Sequence, residues 1–238
     1  MHYDPRLTPP LFEVGLKGYV FGDAAVRLAI EVDRIAAEFE VSVVFDPQHV
    51  DIRAVAGATK HLFVFAQHMD PVAVGRGNGA VLPEALKAAG AAGTLLNHSE
   101  RPMTLSAISR AIRRADEVGL ATMVCADSPE EAAAIAQLAP NVVLAEPPEL
   151  IGGDRSPASE MRAFVEQTID LVGRINPGII VMCAAGVKTA DDVAAMVALG
   201  VGATGCTSGI VSAADPVAQA RAMIAAMRQA WDRAHPSG

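Results

Sequence analysis

The sequence lacks the long apolar stretches and the basic surface charge that membrane and nucleic-acid partners require. Although 51% of its residues are hydrophobic, no window holds the ~18 consecutive apolar residues that would span a bilayer. Its 19 Lys and Arg residues are outnumbered by 27 Asp and Glu residues, which gives a net charge of −8. We therefore expect no nucleic-acid or membrane partner, because both bind a basic face.

Cysteine is scarce, and the spacing of the three cysteines favours neither a disulfide nor a zinc site. Cys125, Cys183 and Cys206 all lie in apolar runs, without CxxC or Cys/His spacing, so buried free thiols are expected. Residues 1–10 contain neither the apolar stretch of a signal peptide nor an Arg-rich amphipathic pattern. We expect a cytoplasmic protein.

Aromatic residues make up only 4% of the chain, a composition that suits helices packed closely on a parallel sheet buried on both faces. Short apolar runs of strand length alternate with helical patterns along the whole chain. The eight runs are roughly Leu11–Lys17, Val41–Phe45, His61–Gln67, Gly93–His98, Ala121–Ala126, Asn141–Glu146, Ile179–Ala184 and Ala203–Ser208.

A helix candidate follows each of these runs. N-cap patterns predict that three of the helices begin at Asp23, at Ser128-Pro129 and at Thr189, the last helix ending at Gly200. Eight strand-then-helix units in 238 residues, with no linker between them, fit a closed barrel better than an open doubly wound sheet. The prediction is a single (β/α)8 domain over residues 1–238, and the lack of a short fixed repeat disfavours a solenoid.

Polar residues at the carboxyl ends of barrel strands are the first candidates for catalysis. Lys17, His98 and Glu146 close the first, fourth and sixth runs, so the fold would bring them to one face. Each alone has an ordinary explanation: a solvated lysine, a hydrogen-bonded histidine and a loop glutamate. A cation, an imidazole and a carboxylate together are the groups needed to move a proton next to a carbonyl.

Five segments of the chain resemble a known family. The segments are AQH at Ala66–His68, NHSER around His98, AEPPELIGG around Glu146, CAAGVKTADD from Cys183 and TSGIV from Thr207. They are similar to triosephosphate isomerases, particularly the shorter archaeal-type branch, in order along essentially the whole chain. The resemblance implies a TIM barrel with its active site at the C-terminal ends of the strands. It also implies cofactor-independent and metal-independent interconversion of dihydroxyacetone phosphate and glyceraldehyde 3-phosphate through an enediolate.

The resemblance assigns roles to four residues. Glu146 would be the catalytic base, and a neutral His98 would polarise the carbonyl and move protons between the two oxygens. Lys17 would supply positive charge. Glu100 matches a family glutamate close to the lysine, although a helix-start carboxylate paired with Arg101 explains this residue equally well.

The remaining residues implied by the resemblance bind the substrate phosphate. The segment from Pro147 to about Arg155 matches the closing lid of the family. Backbone N–H groups near the lid end and after the seventh and eighth strands would hold the phosphate; the residues are Gly153, Ala185, Gly186, Ser208 and Gly209. Without the resemblance, ordinary turn glycines would be the preferred interpretation.

Three departures from the family pattern leave alternatives open. The family has Asn-x-Lys at the end of the first strand where this chain has Gly15-Leu16-Lys17, and Asn97 is a candidate to fill the vacated space. The lid reads Gly152-Gly153-Asp154 instead of Gly-Thr-Gly. Gly77-Asn78-Gly79 stands where the family commonly places a threonine that reaches into a neighbouring subunit.

These departures keep two other functions open beside the triose phosphate reaction. One is isomerisation of another small ketose phosphate, such as a tetrulose phosphate. The other is a weakly active barrel that binds phosphorylated metabolites. The expected partners are a small phosphorylated sugar and further copies of the chain, in a homodimer or homotetramer.

Overall fold

A computed structural model describes residues 7–147, 157–184 and 186–236, of which 157–161 are described by their backbone alone. Eight parallel strands follow one another in chain order and close into a barrel, in which β1 pairs with both β2 and β8. The strands are β1 (Leu11–Gly15), β2 (Ser42–Asp46), β3 (Leu62–Ala66), β4 (Gly93–Leu96), β5 (Ala121–Ala126), β6 (Val142–Ala145), β7 (Ile180–Met182) and β8 (Ala203–Cys206). The predicted (β/α)8 barrel is confirmed.

Helices alternate with the strands on the outside of the barrel. In the described part of the chain they are α1 (Asp23–Phe39), α2 (Ile52–Ala58), α3 (Pro83–Ala89), α4 (Leu105–Val118), α5 (Pro129–Ala136), α6 (Pro157–Ile175), α7 (Ala190–Ala198), α8 (Ser208–Val211) and α9 (Pro216–Ala234). A short 3-10 turn, His49–Asp51, precedes α2. No helix among the described residues is long and apolar enough to cross a membrane.

Side-chain caps start several helices where the sequence predicts them. Ser128 accepts a hydrogen bond from Glu131 N at the start of α5. Thr189 and Asp192 form a reciprocal capping box at the start of α7. The prediction of Asp23 as an N-cap is wrong, because Gly22 holds that position and Asp23 is the first helical residue of α1. A carboxylate in the first turn is still favourable, since it faces the positive end of the helix dipole.

The barrel has two buried apolar layers. The outer layer packs the helices against the sheet, and the inner layer fills the barrel with side chains that include Leu11, Val44, Phe65, Leu95, Met123 and Met182. Cys125, Cys183 and Cys206 are buried free thiols, as predicted. Because the inner layer is solid, the open end formed by the carboxyl ends of the strands is where a ligand can enter.

The predicted strand ends differ by one or two residues from those in the structure. Lys17, His98 and Glu146 were predicted to close their strands, but the strands end at Gly15, Leu96 and Ala145. All three side chains therefore belong to the loops that follow the strands. The barrel still fixes their positions, because each residue follows its strand by only one or two positions.

Candidate active site

A pocket of about 800 Å³ opens at the carboxyl ends of the strands. Lys17, His98, Glu100 and Glu146 all line it. These four residues follow three different strands and are up to 129 positions apart (146 − 17). Barrel closure brings them together, as the strand-end pattern predicted.

Lys17 is held in an unusual backbone conformation. Its φ is +45°, in the left-handed region that residues other than glycine seldom adopt. Two side chains form hydrogen bonds to its carbonyl oxygen: Gln48 Nε2 donates to Lys17 O at 2.6 Å, and Gln67 Nε2 donates to it at 2.9 Å. Lys17 Nζ donates to Glu100 Oε1 at 2.6 Å, so Glu100 pairs with Lys17 in the structure. The ammonium group is thus oriented from both ends of the residue.

The two glutamines were missed by sequence reasoning, although one of them carried a usable signal. Gln67 directly follows β3, and polar residues at strand ends were the stated candidates. It also donates to Asp46 O at 2.9 Å and accepts from Gln48 Nε2 at 3.2 Å. Gln48 lies in an irregular loop, and its contact with Lys17 follows only from the tertiary structure.

His98 is held as a neutral imidazole. Burial lowers its pKa, and the positive charge of Lys17 lowers it further. The backbone N–H of Glu100 donates to His98 Nδ1 at 3.1 Å. An accepting Nδ1 carries no proton, so in the neutral ring the proton is on Nε2. The ring therefore offers a hydrogen-bond donor without a positive charge.

Glu146 lies directly after β6, and its backbone N–H donates to Ala126 O at 2.9 Å. Burial raises the pKa of its carboxyl to about 7; Lys17 opposes this shift and Asp127 adds to it. A carboxylate with a pKa near neutrality is a stronger base than an ordinary glutamate and is still ionised in part of the molecules at pH 7.

The residues predicted to bind phosphate are only partly described. Gly186 and Ser208 line the pocket, and Gly186 has a positive φ of 75°. Gly209 packs against the backbone of Lys188, where a Cβ would lie 2.9 Å from Lys188 Cα, so glycine is needed for the close approach of the two loops. Gly153, Ala185 and most of the predicted lid lie outside the described residues.

Asn97 does not fill the space beside Gly15. Its side chain donates to Cys125 O at 3.0 Å and to Glu131 Oε1 at 3.2 Å, and it accepts from Met103 N at 2.8 Å. These bonds tie β4 to the following loop and to β5. Asn97 has a structural role, which leaves the neighbourhood of Gly15 to other side chains.

Two acidic residues at the floor of the pocket were also missed. Glu13 lies within β1 and Asp46 ends β2, and both line the pocket while being almost fully buried, at 7% and 3% exposure. A charged residue inside an apolar strand run was the signal that could have identified Glu13. Among the described residues, no group of three or more His, Cys, Asp or Glu side chains is arranged to hold a metal ion.

Comparison with known proteins identifies the family of the chain. The sequence profile of the family described as triosephosphate isomerase matches residues 16–223. The chain belongs to the triosephosphate isomerase family. The predicted resemblance is thereby confirmed, and the pocket described above lies where this barrel family carries its active sites.

Archaeal members of the triosephosphate isomerase family are similar over most of their length. The triosephosphate isomerase of Methanobacterium bryantii is 40% identical over 209 residues, covering 87% of this chain and 92% of the relative. That of Methanothermus fervidus is 36% identical over 208 residues, covering 87% and 93%. That of Methanosarcina acetivorans is 39% identical over 197 residues, covering 83% and 88%.

Proposed function

We propose that this protein is a cofactor-independent triosephosphate isomerase that interconverts dihydroxyacetone phosphate and glyceraldehyde 3-phosphate. The observation that carries the proposal is the combination of Glu146, neutral His98 and Lys17 around one pocket. Membership of the family supports it. The reaction needs one proton moved between neighbouring carbons, and side chains can perform every step of that transfer.

Glu146 is the base in this proposal. In its ionised form it removes a proton from the carbon beside the substrate carbonyl, and it returns the proton to the neighbouring carbon. A pKa of about 7 suits both halves of the cycle, because the carboxylate must take the proton and the carboxylic acid must release it.

His98 and Lys17 stabilise the negative charge that develops on the substrate oxygens. The Nε2–H of neutral His98 donates to the carbonyl oxygen, and its low pKa lets the ring give and regain a proton without becoming a stable cation. Lys17 contributes fixed positive charge. Glu100 positions Lys17 through their 2.6 Å ion pair.

The phosphate is assigned to the side of the pocket formed by Gly186 and Ser208. Backbone N–H groups in these loops supply donors for the phosphate oxygens, with Gly209 keeping the two loops close. Gly153 and Ala185 remain part of the proposed phosphate site on the strength of the family resemblance. The lid from Pro147 to about Arg155 would close over the phosphate and exclude water.

We also propose that the protein forms homodimers or homotetramers and acts in the cytoplasm. Several large apolar side chains are exposed around the loops after β1, β2 and β3, namely Tyr19 at 61%, Phe21 at 66%, Val50 at 87% and Val74 at 71%. Exposed apolar groups in neighbouring loops favour contact with another copy of the chain. Light scattering coupled to size-exclusion chromatography measures the oligomeric state directly.

A coupled assay with glyceraldehyde 3-phosphate and, separately, with tetrulose phosphates tests the proposal. Triose phosphate turnover that disappears in Glu146→Ala is the expected result. Turnover of tetrulose phosphates alone would replace the triose reaction with the second candidate, which Gly15 favours because it alters the substrate-binding end of the pocket. Binding of inorganic phosphate without turnover of either sugar would instead indicate a metabolite-binding barrel.

A further inference from the structure

A pair of buried carboxyl groups forms the floor of the candidate active site. Glu13 is the third residue of β1, and its side chain lies on the inner face of the barrel between the inward positions of Leu11 and Gly15. Asp46 ends the neighbouring strand, directly beside Gly15 in the β1–β2 register. Both side chains line the pocket, and the charge of Asp46 acts on the Glu13 carboxyl.

Two glycines make room for Glu13. A Cβ atom at Gly15 would lie 2.4 Å from Glu13 Oε1 and 2.5 Å from Thr207 Oγ1. A Cβ atom at Gly205 would lie 2.4 Å from Glu13 Oε2. The carboxyl group of Glu13 would therefore have to move to admit a larger residue at 15 or 205. Glu13 and Thr207 occupy the volume through which a side chain at position 15 would enter the pocket.

The surroundings of the pair favour a protonated carboxyl group. Glu13 faces Asp46, Glu146 and Lys17. Burial, followed by the charges of Asp46 and Glu146, raises the pKa of Glu13 well above its ordinary value. Burial also raises the pKa of Asp46 to about 7.

The groups around the pair supply one positive charge, and the backbone N–H groups of Leu16 and Asp46 favour the ionised form of Asp46. Lys17 is the cation, while the buried thiols of Cys125 and Cys206 are neutral because burial raises their pKa values. Asp46 Oδ1 is buried and has no hydrogen-bond donor among the described residues. A proton held between the two carboxyl groups satisfies that oxygen and removes the repulsion of two adjacent negative charges.

We propose that Glu13 and Asp46 share one proton and that Glu13 binds the unphosphorylated end of the substrate by hydrogen bonding to the oxygens that exchange carbonyl and hydroxyl character. This inference rests on the proposed function, since it assigns a further catalytic residue to that reaction. Its evidence is the position of the Glu13 carboxyl at the pocket floor, in the volume above Gly15.

A carboxyl pair with one proton suits an aldose-ketose isomerisation. The carbonyl oxygen of the substrate needs a donor, and the neighbouring hydroxyl needs an acceptor; these roles are exchanged between the two oxygens during the reaction. A protonated carboxyl group offers both a donor and an acceptor, whereas an ionised carboxylate only accepts. No proton leaves the pair in this role, so the pair is unchanged after each turnover.

The protonation state is tested in the free protein, independently of turnover. Protein labelled with ¹³C at the carboxyl carbons of Asp and Glu is titrated by NMR, with Glu13→Gln and Asp46→Asn used to assign the two signals. The expected result is coupled titration of both signals, with one proton retained above pH 7. Two carboxyl groups that both ionise below pH 5 would overturn the inference.

The catalytic role is tested with Glu13→Ala, Glu13→Gln and the double variant Gly15→Asn/Glu13→Ala. Removing one hydrogen-bonding group from the reacting oxygens typically lowers kcat ~10²–10³-fold, and we expect Glu13→Ala to fall in this range. Glu13→Gln keeps the volume and still offers a donor and an acceptor but cannot share a proton with Asp46, so its activity should be reduced less than that of Glu13→Ala.

The double variant separates a catalytic role from a structural one. Removing the Glu13 carboxyl clears the 2.4 Å collision, and rotation of the Thr207 side chain clears the other, so an asparagine at position 15 can reach the pocket. We expect at least ~10-fold recovery of kcat relative to Glu13→Ala, which corresponds to one regained neutral hydrogen bond. Gly15→Asn alone should be less active than the unaltered protein, because the Glu13 carboxyl must leave its position to admit the asparagine. Glu166→Gln, on the exposed face of α6, is the control for loss of an acidic residue.

Failure of the inference can be distinguished from failure of the proposed function. Normal triose phosphate turnover in the unaltered protein, with Glu13→Ala and Glu13→Gln within ~3-fold of it, overturns the inference alone. No turnover in the unaltered protein overturns the proposed function, and calorimetric binding of 2-phosphoglycolate then decides the inference. A Glu13→Ala protein that binds this phosphorylated acid as tightly as the unaltered protein would refute a substrate contact.

Discussion

The backbone N–H of Glu100 donates a hydrogen bond to Nδ1 of His98 at 3.1 Å. The same residue accepts from Lys17 through its side chain. One short loop therefore sets the tautomer of the imidazole and the position of the ammonium group. Because a ring nitrogen that accepts a hydrogen bond must be unprotonated, this contact opposes the imidazolium form.

The first prediction concerns His98. Burial and the charge of Lys17 lower its pKa, so the neutral ring should persist to a lower pH than that of an ordinary histidine. In ¹⁵N NMR spectra recorded at pH 7 the Nε2 of His98 should carry the proton, with Nδ1 unprotonated. A proton on Nδ1 of His98 in these spectra would contradict the assignment.

The second prediction concerns the base. Glu146→Gln keeps the size of the side chain but cannot accept a proton from carbon, so kcat should fall ~10²–10⁴-fold, the usual contribution of a general base. KM should change little. Glu166→Gln controls for charge loss, and retention of more than a tenth of the activity in Glu146→Gln would exclude this residue as the base.

The pH dependence of the unaltered enzyme follows from the same carboxyl. Its pKa in the folded protein is about 7, and only the ionised form is a base. The ratio kcat/KM should therefore fall as pH drops through 7 and should reach a plateau at higher pH. A profile with its acid limb near pH 4.5 would show that Glu146 titrates as an ordinary glutamate.

The third prediction concerns stability. Glu13 and Asp46 have raised pKa values in the folded state, so the folded protein binds more protons than the unfolded chain between about pH 4 and pH 7. By proton linkage, the pair contributes most to the free energy of unfolding below pH 4. This contribution is lost as pH rises through the pKa values of the folded state.

Urea unfolding at pH 5 and pH 8 measures this effect. The proton held by the pair in the folded state should make the protein more stable at pH 5 than at pH 8. In Glu13→Gln/Asp46→Asn that part of the pH dependence should vanish, whereas Glu166→Gln should keep it. An unchanged slope in the double variant would mean that the pair is ionised.

The fourth prediction concerns the support of Lys17. Gln67 donates to Lys17 O at 2.9 Å and to Asp46 O at 2.9 Å, which holds the left-handed backbone at Lys17. Gln67→Leu leaves both carbonyls without this donor and should lower both kcat and stability. Loss of a buried hydrogen-bond donor typically costs about 1–3 kcal/mol.

Comparing the loss of kcat with the loss of stability identifies the role of Gln67. Gln67→Glu keeps the shape but lacks the N–H donors at neutral pH, so it should resemble Gln67→Leu and should not rescue activity. His68 follows Gln67 on the same loop, and its side chain forms a hydrogen bond with Asp70. Full activity in Gln67→Leu, with only a lower Tm, would show that Lys17 keeps its position without Gln67.

The barrel and most of the candidate site could be predicted from the sequence, because the underlying signals are local. Apolar runs of strand length alternating with helical patterns specify buried parallel strands, and Ser128 and Thr189 mark helix starts by their own hydrogen bonds. Lys17, His98 and Glu146 stand out since polar residues follow apolar runs there. The boundary at Asp23 was misplaced by one residue, because Gly22 and Asp23 are both acceptable at a helix start.

Only the tertiary structure decided what lies around those residues. Glu13 and Thr207 are 194 positions apart (207 − 13), and both occupy the space at Gly15 because closure places β8 beside β1. The contacts of Lys17 with Gln48 and Gln67 likewise depend on neighbouring strands. The sequence by itself determined the eight-fold alternation and the reactive groups, since strand and helix periodicity are local. The environment of each group, and with it the pKa values of Glu13, Asp46 and Glu146, was decided by burial and proximity that arise only when the barrel closes.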